Sequence, residues 1–253
     1  MSRTILQTII VMCLLTPLIL SIPVQAGESR TGIPTGPRLQ EVIARVQPEL
    51  EKALTAKGLR FGAPVFIRIF KKSRELEVWV EGNDAQFHLF ETYPICTFSG
   101  DLGPKLKQGD MQSPEGFYFV RPGSLNPWSK FHLSFNLGYP NTYERLLKRT
   151  GSALMVHGDC VSIGCYAMTD EGIEEIYTIV EAALRQGQPF FRVHAFPFRM
   201  NEENMNRYEG SDWMNFWRNL KEGYNYFEAH RRPPNVTVDH HSRRYVFSPP
   251  PPD

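Results

Sequence analysis

The chain has 253 residues and a formal net charge of +1, with 42% hydrophobic and 12% aromatic residues. This length fits one sizeable domain with room for an appended element, and the aromatic content indicates a well-filled core or a groove rich in rings. A charge this close to zero gives no support to the binding of nucleic acid or another polyanion.

The first 26 residues have the pattern of a signal peptide for secretion. Arg3 supplies a positive charge, residues 9–20 form an apolar run, and Val-Gln-Ala at 24–26 precedes a cleavage site before Gly27. The alternative is an uncleaved membrane anchor, but the run is short and contains Pro17, whereas a membrane span needs about 20 apolar residues. We therefore expect an exported mature protein.

Residues 27–63 are predicted to be a leader followed by a helix. Residues 27–37 are rich in Gly, Pro, Ser and Thr, which is typical of a flexible leader. From Leu39 the apolar positions follow helical spacing as far as Gly58. Pro48 lies inside this pattern, so one kinked helix and two short helices both remain open.

Residues 64–198 are predicted to form the main domain, in which strands dominate. A hairpin and further short strands are predicted at residues 65–69, 76–80, 87–90, 93–98, 117–120, 153–156 and 190–193. One helix is predicted to begin after Thr169, its N-cap, and to end at Gly187. The predicted fold class is mainly β with packed helices (α+β).

Residues 199–253 are predicted to form a C-terminal helical extension with a proline-rich tail. Aromatic and apolar residues between Trp213 and Tyr224 recur at helical spacing, which indicates an appended helix packed on the core. Four consecutive prolines at residues 249–252 are predicted to be disordered.

Export changes how the cysteines are counted. Cys13 leaves with the signal peptide, so Cys96, Cys160 and Cys165 remain. In an oxidising compartment an odd number of cysteines suggests one disulfide and one free thiol. We take Cys165 as the free thiol, which leaves Cys96–Cys160 as a candidate disulfide.

The segment from His157 to Cys165 carries most of the functional information. A thiol attacks a carbonyl as its thiolate and needs a nearby base, and imidazole has a pKa suited to this task. Gly164 immediately precedes the sulfur-bearing residue, and its backbone freedom lets amides turn toward a developing oxyanion. A predicted helix start follows, which favours the thiolate. The segment therefore predicts a cysteine nucleophile with His157 as its base.

Two other interpretations of the same residues stay open. Cys165 could be a buried structural cysteine, and His157 a hydrogen-bonded residue at a strand end. His157, Cys160 and Cys165 are also conceivable zinc ligands, but the set lacks a fourth member and the usual close spacing of cysteines. We expect neither a metal nor another cofactor.

A second informative segment, residues 109–117, is a turn in physical terms. Ser113 and Pro114 fix one backbone dihedral, Gly116 frees another, and a predicted strand follows. From these residues alone, a plain loop is a sufficient explanation.

Together the two segments resemble the L,D-transpeptidase catalytic domain, the YkuD family. That family has a Thr/Ser-Pro-x-Gly-x-Phe turn, to which residues 113–118 are similar. It also has a His-Gly pair followed by Ser-x-Gly-Cys, to which His157-Gly158 and residues 162–165 are similar. The resemblance implies a β-sandwich or barrel domain that acts on peptidoglycan stem peptides.

The resemblance also implies a role for each site residue. Cys165 would attack the carbonyl of an L-centre joined to a D-centre and form a thioester. His157 would be the base, with its ring oriented by the Gly158 carbonyl. The amides of Gly164 and Cys165, together with that of Tyr166, would form the oxyanion hole, and Ser162 would hold the loop.

Further segments, at residues 99–105, 136–141, 156–169 and 196–200, resemble the YafK-like subgroup of Gram-negative bacteria. Most family members place the base and the cysteine farther apart, and have polar residues where this chain has Ile163 and Ala167. The subgroup is associated with cutting the bond between diaminopimelate and the C-terminal lysine of Braun-type lipoprotein. The resemblance therefore implies a periplasmic amidase with peptidoglycan and Braun-type lipoprotein as partners.

Two alternatives to this amidase stay open. One is an L,D-transpeptidase that forms 3-3 cross-links or attaches lipoprotein to the wall. The other belongs to a different class, a wall-binding module that keeps the groove but not the chemistry.

Overall fold

The computed structural model describes residues 32–250. The signal peptide predicted at residues 1–26 lies outside this range, as do residues 27–31 of the leader and 251–253 of the tail. Within the range, no helix has both the length and the apolar character needed to cross a membrane. The helices are α1 Pro37–Ala56, α2 Thr142–Leu146, α3 Asp170–Arg185, α4 Glu202–Arg207 and α5 Met214–His230.

The first sheet contains five strands and includes the predicted hairpin. Its members are β1 Val65–Phe70, β2 Glu75–Glu81, β3 Phe87–Pro94, β5 Gly116–Val120 and β10 Phe191–Phe196. They lie in the order β3-β2-β1-β10-β5, with β1 and β10 parallel and the other pairs antiparallel. The predicted hairpin of β1 and β2 is confirmed.

The second sheet is smaller and carries the residues singled out from the sequence. Its strands are β4 Thr97–Phe98, β6 Leu125–Asn126, β7 Ser134–Asn136, β8 Met155–His157 and β9 Tyr166–Ala167. They lie in the order β4-β9-β8-β7-β6. Strands β8 and β9 are parallel, and the other pairs are antiparallel.

One hydrophobic cluster joins the two sheets to helices α1 and α3. Ile67 and Val193 of the first sheet share this cluster with Val156 and Tyr166 of the second, and all four are fully or almost fully buried. Helix α3 begins as predicted, with the Thr169 side chain accepting a hydrogen bond from a backbone amide of the first turn. The predicted α+β class, mainly β with packed helices, is confirmed.

Two local predictions are resolved or corrected by tertiary packing. Helix α1 continues through Pro48, because residues on both sides of the proline, including Leu39 and Leu54, are buried; this packing outweighs the missing amide. The prediction of separate strands at 87–90 and 93–98 is wrong, since β3 is continuous to Pro94. Phe90 is the extra residue of a β-bulge opposite Val78 and Trp79, and it interrupts the expected alternation.

The C-terminal residues form a third layer on the other face of the first sheet. Trp217 of α5 and Tyr245 share a cluster with Phe70, Phe117 and Phe196 of the sheet. The predicted helical extension contains α4 and α5, but it also contains an unpredicted hairpin of β11 Asn235–Asp239 and β12 Arg244–Ser248. Most side chains of this hairpin are exposed or half-buried, so the sequence pattern of its strands is weak.

A buried carboxyl group, that of Glu115, ties this layer to the turn before β5. One Glu115 oxygen lies 3.1 Å from Lys71 Nζ and accepts from the Gly103 amide at 2.7 Å. The other accepts from the Trp217 indole at 2.8 Å. Lys71 and Glu115 are both fully buried, and burial lowers the pKa of Lys71 against the opposing effect of Glu115. The turn is therefore held from three directions.

We expect Trp217→Phe to lower the free energy of unfolding by about 1–3 kcal/mol, because a buried Glu115 oxygen loses its donor while most of the ring packing remains. Trp213→Phe is the matched control, since among the described residues the Trp213 indole N–H makes no hydrogen bond. Urea denaturation of both variants checks this. Equal losses in the two variants would contradict a specific role for the Trp217–Glu115 hydrogen bond.

Candidate active site

The parallel pairing of β8 and β9 brings His157 and Cys165 to one face of the second sheet. Val156 is paired with Tyr166 and His157 with Ala167. Side chains alternate between the two faces of a sheet, so Cys165, one residue before Tyr166, is on the His157 side, while Val156 and Tyr166 point into the core. The Met155 amide lies 3.4 Å from Cys165 Sγ, which places the thiol beside the end of β8.

The His157 ring is held in the tautomer that a general base requires. Its Nδ1 lies 2.5 Å from the Gly158 carbonyl oxygen. A carbonyl can only accept, so Nδ1 carries the proton and Nε2 keeps its free electron pair. The Phe131 ring lies on the imidazole, with 4.7 Å between ring centres, and His157 is only 2% exposed.

Gly158 occupies a position with no room for a side chain. Its amide donates to the carbonyls of Phe131 and Leu133, at 3.1 and 3.3 Å. An added Cβ would collide with Asp170 Oδ1 and lie 3.1 Å from atoms of His132 and Ile173. The chain can therefore turn close to α3 here only as glycine, and this turn aims the Gly158 carbonyl at His157.

Burial sets the protonation states of the pair. It lowers the pKa of His157, and the Gly158 carbonyl and Asp159 oppose this effect only in part. It raises the pKa of the Cys165 thiol, opposed by the Met155 amide and the charge of Lys105. The resting site at neutral pH is therefore a neutral imidazole beside a protonated thiol. His157 Nε2 can therefore accept a proton, and the thiol stays protonated unless a base removes its proton.

Two hydroxyl groups hold the backbone at Cys165. Ser162 Oγ donates to the Cys165 carbonyl at 2.8 Å, and Ser113 Oγ donates to the same oxygen at 2.9 Å. Ser162 Oγ also accepts from the Gly164 amide at 3.2 Å. The turn at Ser113 and the loop before Cys165, which resembled two separate family motifs, thus meet at one carbonyl.

The proposed oxyanion donors differ in their surroundings. The Gly164 amide is engaged by Ser162, so it would have to turn from that oxygen toward a substrate. The Tyr166 side chain is fully buried and donates to the Pro114 carbonyl at 2.6 Å, so it fixes the turn beside the thiol. The oxyanion roles of the Gly164, Cys165 and Tyr166 amides stay predictions.

Cys96 and Cys160 form a disulfide, and Cys165 is a free cysteine. The bond links the short connection between β3 and β4 to the loop between His157 and Cys165. It closes a sequence separation of 64 residues, which a chain-entropy model equates with about 4 kcal/mol of stabilisation. A zinc site built on His157, Cys160 and Cys165 loses one ligand, because a disulfide sulfur is not a thiolate.

Two contributors to this site could not be found in the sequence. Phe131 covers the base although it lies 26 positions before it in the sequence, and Lys105 acts on Cys165 from a buried position where its ammonium pairs with Asp110. Lys105 ends a segment with a family resemblance, but nothing in that segment showed that its charge would lie near the thiol.

Comparisons with known proteins agree with the motifs. A model of the L,D-transpeptidase catalytic domain (YkuD) matches residues 64–189. The chain is 50% identical over 189 residues to "Putative L,D-transpeptidase YafK" of Escherichia coli K12, covering 75% of this chain and 76% of that protein. The protein of the same name from E. coli O157:H7 gives the same values.

Two solved structures match most of the length of this chain and share little sequence with it. The helical cell shape determining protein Pgp2 from Campylobacter jejuni has a TM-score of 0.42 and 14% identity, covering 76% of this chain and 80% of that one. Bd1075 from Bdellovibrio bacteriovorus has a TM-score of 0.41 and 18% identity, covering 70% and 77%.

Gly158→Ala should lower the free energy of unfolding by about 1–3 kcal/mol, because the added methyl group must displace the Asp170 carboxylate, which accepts from the Asp159 amide, and press on His132 and Ile173. Gly123→Ala is the control, since a Cβ there meets nothing within 4 Å. Urea denaturation of both variants measures the difference. A Gly158→Ala variant as stable as the Gly123→Ala variant would show that the turn has room to relax.

The pH dependence follows from the two pKa shifts. His157 has a lowered pKa, so it stays neutral at and above about 6.5 and gains a proton only below that pH; Cys165 has a raised pKa, so its thiolate appears only above about 8.5. We expect the ultraviolet thiolate signal of the wild type, minus that of Cys165→Ser, to be absent at pH 7 and to rise only in the alkaline range. A full thiolate signal at pH 6–7 would mean that a thiolate–imidazolium pair forms instead.

Proposed function

Since the chain belongs to the L,D-transpeptidase (YkuD) family, which acts on peptidoglycan, we propose that it is an exported cysteine enzyme of diaminopimelate-containing peptidoglycan. We propose further that it is an amidase that releases Braun-type lipoprotein from the wall. The observation that carries the catalytic part is the juxtaposition of a free thiol and a neutral, oriented imidazole across β8 and β9.

The proposed reaction has two stages that share one base. Cys165 Sγ attacks the carbonyl carbon of the diaminopimelate L-centre while His157 Nε2 takes the thiol proton. The resulting imidazolium gives this proton to the departing lysine amine, and a thioester remains. Water then attacks the thioester with His157 as base, and the proton returns to the sulfur as the acid is released.

The exposure of the loop beside the thiol supports hydrolysis rather than transfer to a second peptide. Only residues 158–165 separate β8 from β9, and within them Asp159, Cys160, Val161 and Ile163 are exposed. Cys165 is itself only half-buried, which supports access of water to a thioester there. The 50% identity to a YafK protein supports the subgroup from which the amidase role is drawn.

Exposed apolar side chains around the site support a substrate that includes a protein. Three segments that border the His157–Cys165 pair carry most of the large apolar side chains exposed in the described chain: Leu106, Met111, Trp128, Phe131, Val161 and Ile163. Exposed apolar surface of this kind marks interaction sites. A polar glycan or a charged stem peptide has few apolar groups with which to cover it. An attached lipoprotein offers apolar side chains that could cover it.

The disulfide supports the proposed export to the periplasm. Disulfides persist in oxidising compartments and are rare in the cytosol. Together with the signal peptide expected at residues 1–26, the Cys96–Cys160 bond suits a protein that folds outside the cytoplasm.

Incubation with lipoprotein-linked sacculi, followed by mass spectrometry of the products, tests the proposal. We expect lipoprotein with a free C-terminal lysine and no new 3-3 dimers. Cys165→Ala should abolish release, and His157→Ala should lower kcat about 100- to 10,000-fold because the proton transfer loses its base.

The same assay separates the alternatives. New 3-3 dimers from tetrapeptide-rich sacculi would contradict the amidase and favour cross-linking. Binding to sacculi without any product would contradict both enzymatic functions and favour a wall-binding module. Undiminished release by Cys165→Ala would contradict the thioester mechanism itself.

A further inference from the structure

We propose that helix α1, which precedes the matched family domain, supports the active site, and that Arg38 is a positioning residue for His157. The family match begins at residue 64, whereas α1 ends at Ala56. Arg38 touches no reacting atom in this arrangement. It acts through the loop of residues 128–132, which lies over the imidazole.

The first link is between Arg38 and this loop. One guanidinium nitrogen, Nη1, donates to the carbonyl of Ser129 at 2.9 Å and to that of His132 at 2.6 Å. The two carbonyls stand on either side of Phe131, so a single cation fixes the curve of the chain that presents this ring. His132 has a positive φ of 65°, a conformation that non-glycine residues rarely adopt without support.

The second link is between Phe131 and the base. The Phe131 ring covers the His157 imidazole. The Phe131 carbonyl accepts from the Gly158 amide at 3.1 Å, and the Gly158 carbonyl in turn accepts from His157 Nδ1. A shift of Phe131 therefore moves both the cover of the base and the peptide that orients it.

Two further contacts attach α1 to the same loop. Glu174 of α3 accepts from Arg45 of α1 at 2.7 Å and lies 2.8 Å from His132 Nε2. Gly36, the N-cap of α1, lies against Trp128, and a Cβ there would be 2.7 Å from the indole nitrogen. Gly36 at the start of α1, Arg45 within it and the loop of residues 128–132 are therefore connected by direct contacts or through Glu174.

Burial does little to hold the outer part of this loop. Trp128 is 64% exposed and Phe131 is 41% exposed, so burial alone does not fix them. Arg38 is itself on the surface, and an exposed polar contact contributes little to global stability. Loss of Arg38 should therefore make the loop of residues 128–132 less ordered while the melting temperature changes little.

Loss of Arg38 should expose the imidazole to water. The charged and titratable groups around His157 are Asp159 in its own loop, Asp170 at the start of α3, His132 in the covering loop and Cys165 on the neighbouring strand. Arg38→Ala leaves these groups in place but removes the Arg38 charge. Arg38→Lys, which keeps a cation, and Phe131→Ala, which removes only the cover, therefore separate the effect of lost cover from that of lost charge.

The test compares Arg38→Ala and Arg38→Lys with Lys52→Ala. Lys52 lies on the same helix, is 80% exposed and makes only an exposed contact with Glu49, so its loss should change nothing. For Arg38→Ala we expect kcat on lipoprotein-linked sacculi to fall about 10- to 100-fold through misplacement of the base, with KM little changed. Arg38→Lys should restore part of kcat, since an ammonium can reach one of the two carbonyls.

The second measurement does not depend on the proposed function. Proton NMR titration of His157, assigned with His157→Asn, should show its pKa rising in Arg38→Ala toward the ordinary value of about 6.5. Phe131→Ala, a substitution at an exposed position, should also raise the pKa of His157. It replaces Arg38→Ala as the test if Arg38→Ala does not fold. A wild type without turnover would refute the amidase proposal but leave this titration interpretable.

Unchanged kcat and unchanged His157 titration in a folded Arg38→Ala variant would overturn the inference. An equal loss in Lys52→Ala would also overturn it, because the effect would then belong to the helix in general rather than to the Arg38 contact.

Discussion

The site depends on one topological constraint, the pairing of two parallel neighbouring strands through a very short connection. Parallel strands are normally joined by about a dozen residues or more, yet β8 and β9 are joined by residues 158–165 alone. The connection reverses direction through left-handed conformations at Asp159, Cys160 and Gly164, of which the two non-glycine ones are unfavourable by about 1–3 kcal/mol each. The disulfide at Cys160 and the Ser162 hydrogen bonds hold the loop in this form. The same constraint places Cys165 and His157 on neighbouring strands and on the same face of the sheet.

The protonation states suit a free thiol next to a disulfide. Thiol–disulfide exchange and oxidation both proceed through the thiolate. Burial keeps the Cys165 thiol protonated, and His157 is neutral rather than a cation that would stabilise a thiolate. A protonated Cys165 thiol is poorly suited to attack the Cys96–Cys160 bond in its own loop. Under the proposed mechanism, the thiolate forms only as the thiol proton passes to His157 during attack on a substrate carbonyl.

Elements with a clear local pattern could be predicted from the sequence, whereas contacts between distant segments could not. The β1–β2 hairpin and helix α3 were predictable because their apolar residues alternate or recur with a clear period. The placement of His157 and Cys165 on one face of the second sheet was predictable because both lie in one short segment with Gly164. The contacts of Phe131 and Arg38 were not, since Phe131 packs on His157, and Arg38 on the loop that carries Phe131, from distant parts of the chain. The β11–β12 hairpin was not predicted, because most of its side chains are exposed or half-buried and its sequence has no strong apolar alternation.

A covalent intermediate on Cys165 is the central claim, and trapping it is the most direct test. Protein mixed with lipoprotein-linked muropeptides would be quenched in acid, digested and analysed by mass spectrometry. The predicted result is a diaminopimelyl-peptide adduct on the fragment that contains Cys165, released by hydroxylamine as a thioester would be and absent from Cys165→Ala. Turnover by the wild type with an adduct on another residue, or turnover that persists in Cys165→Ala, would contradict the claim.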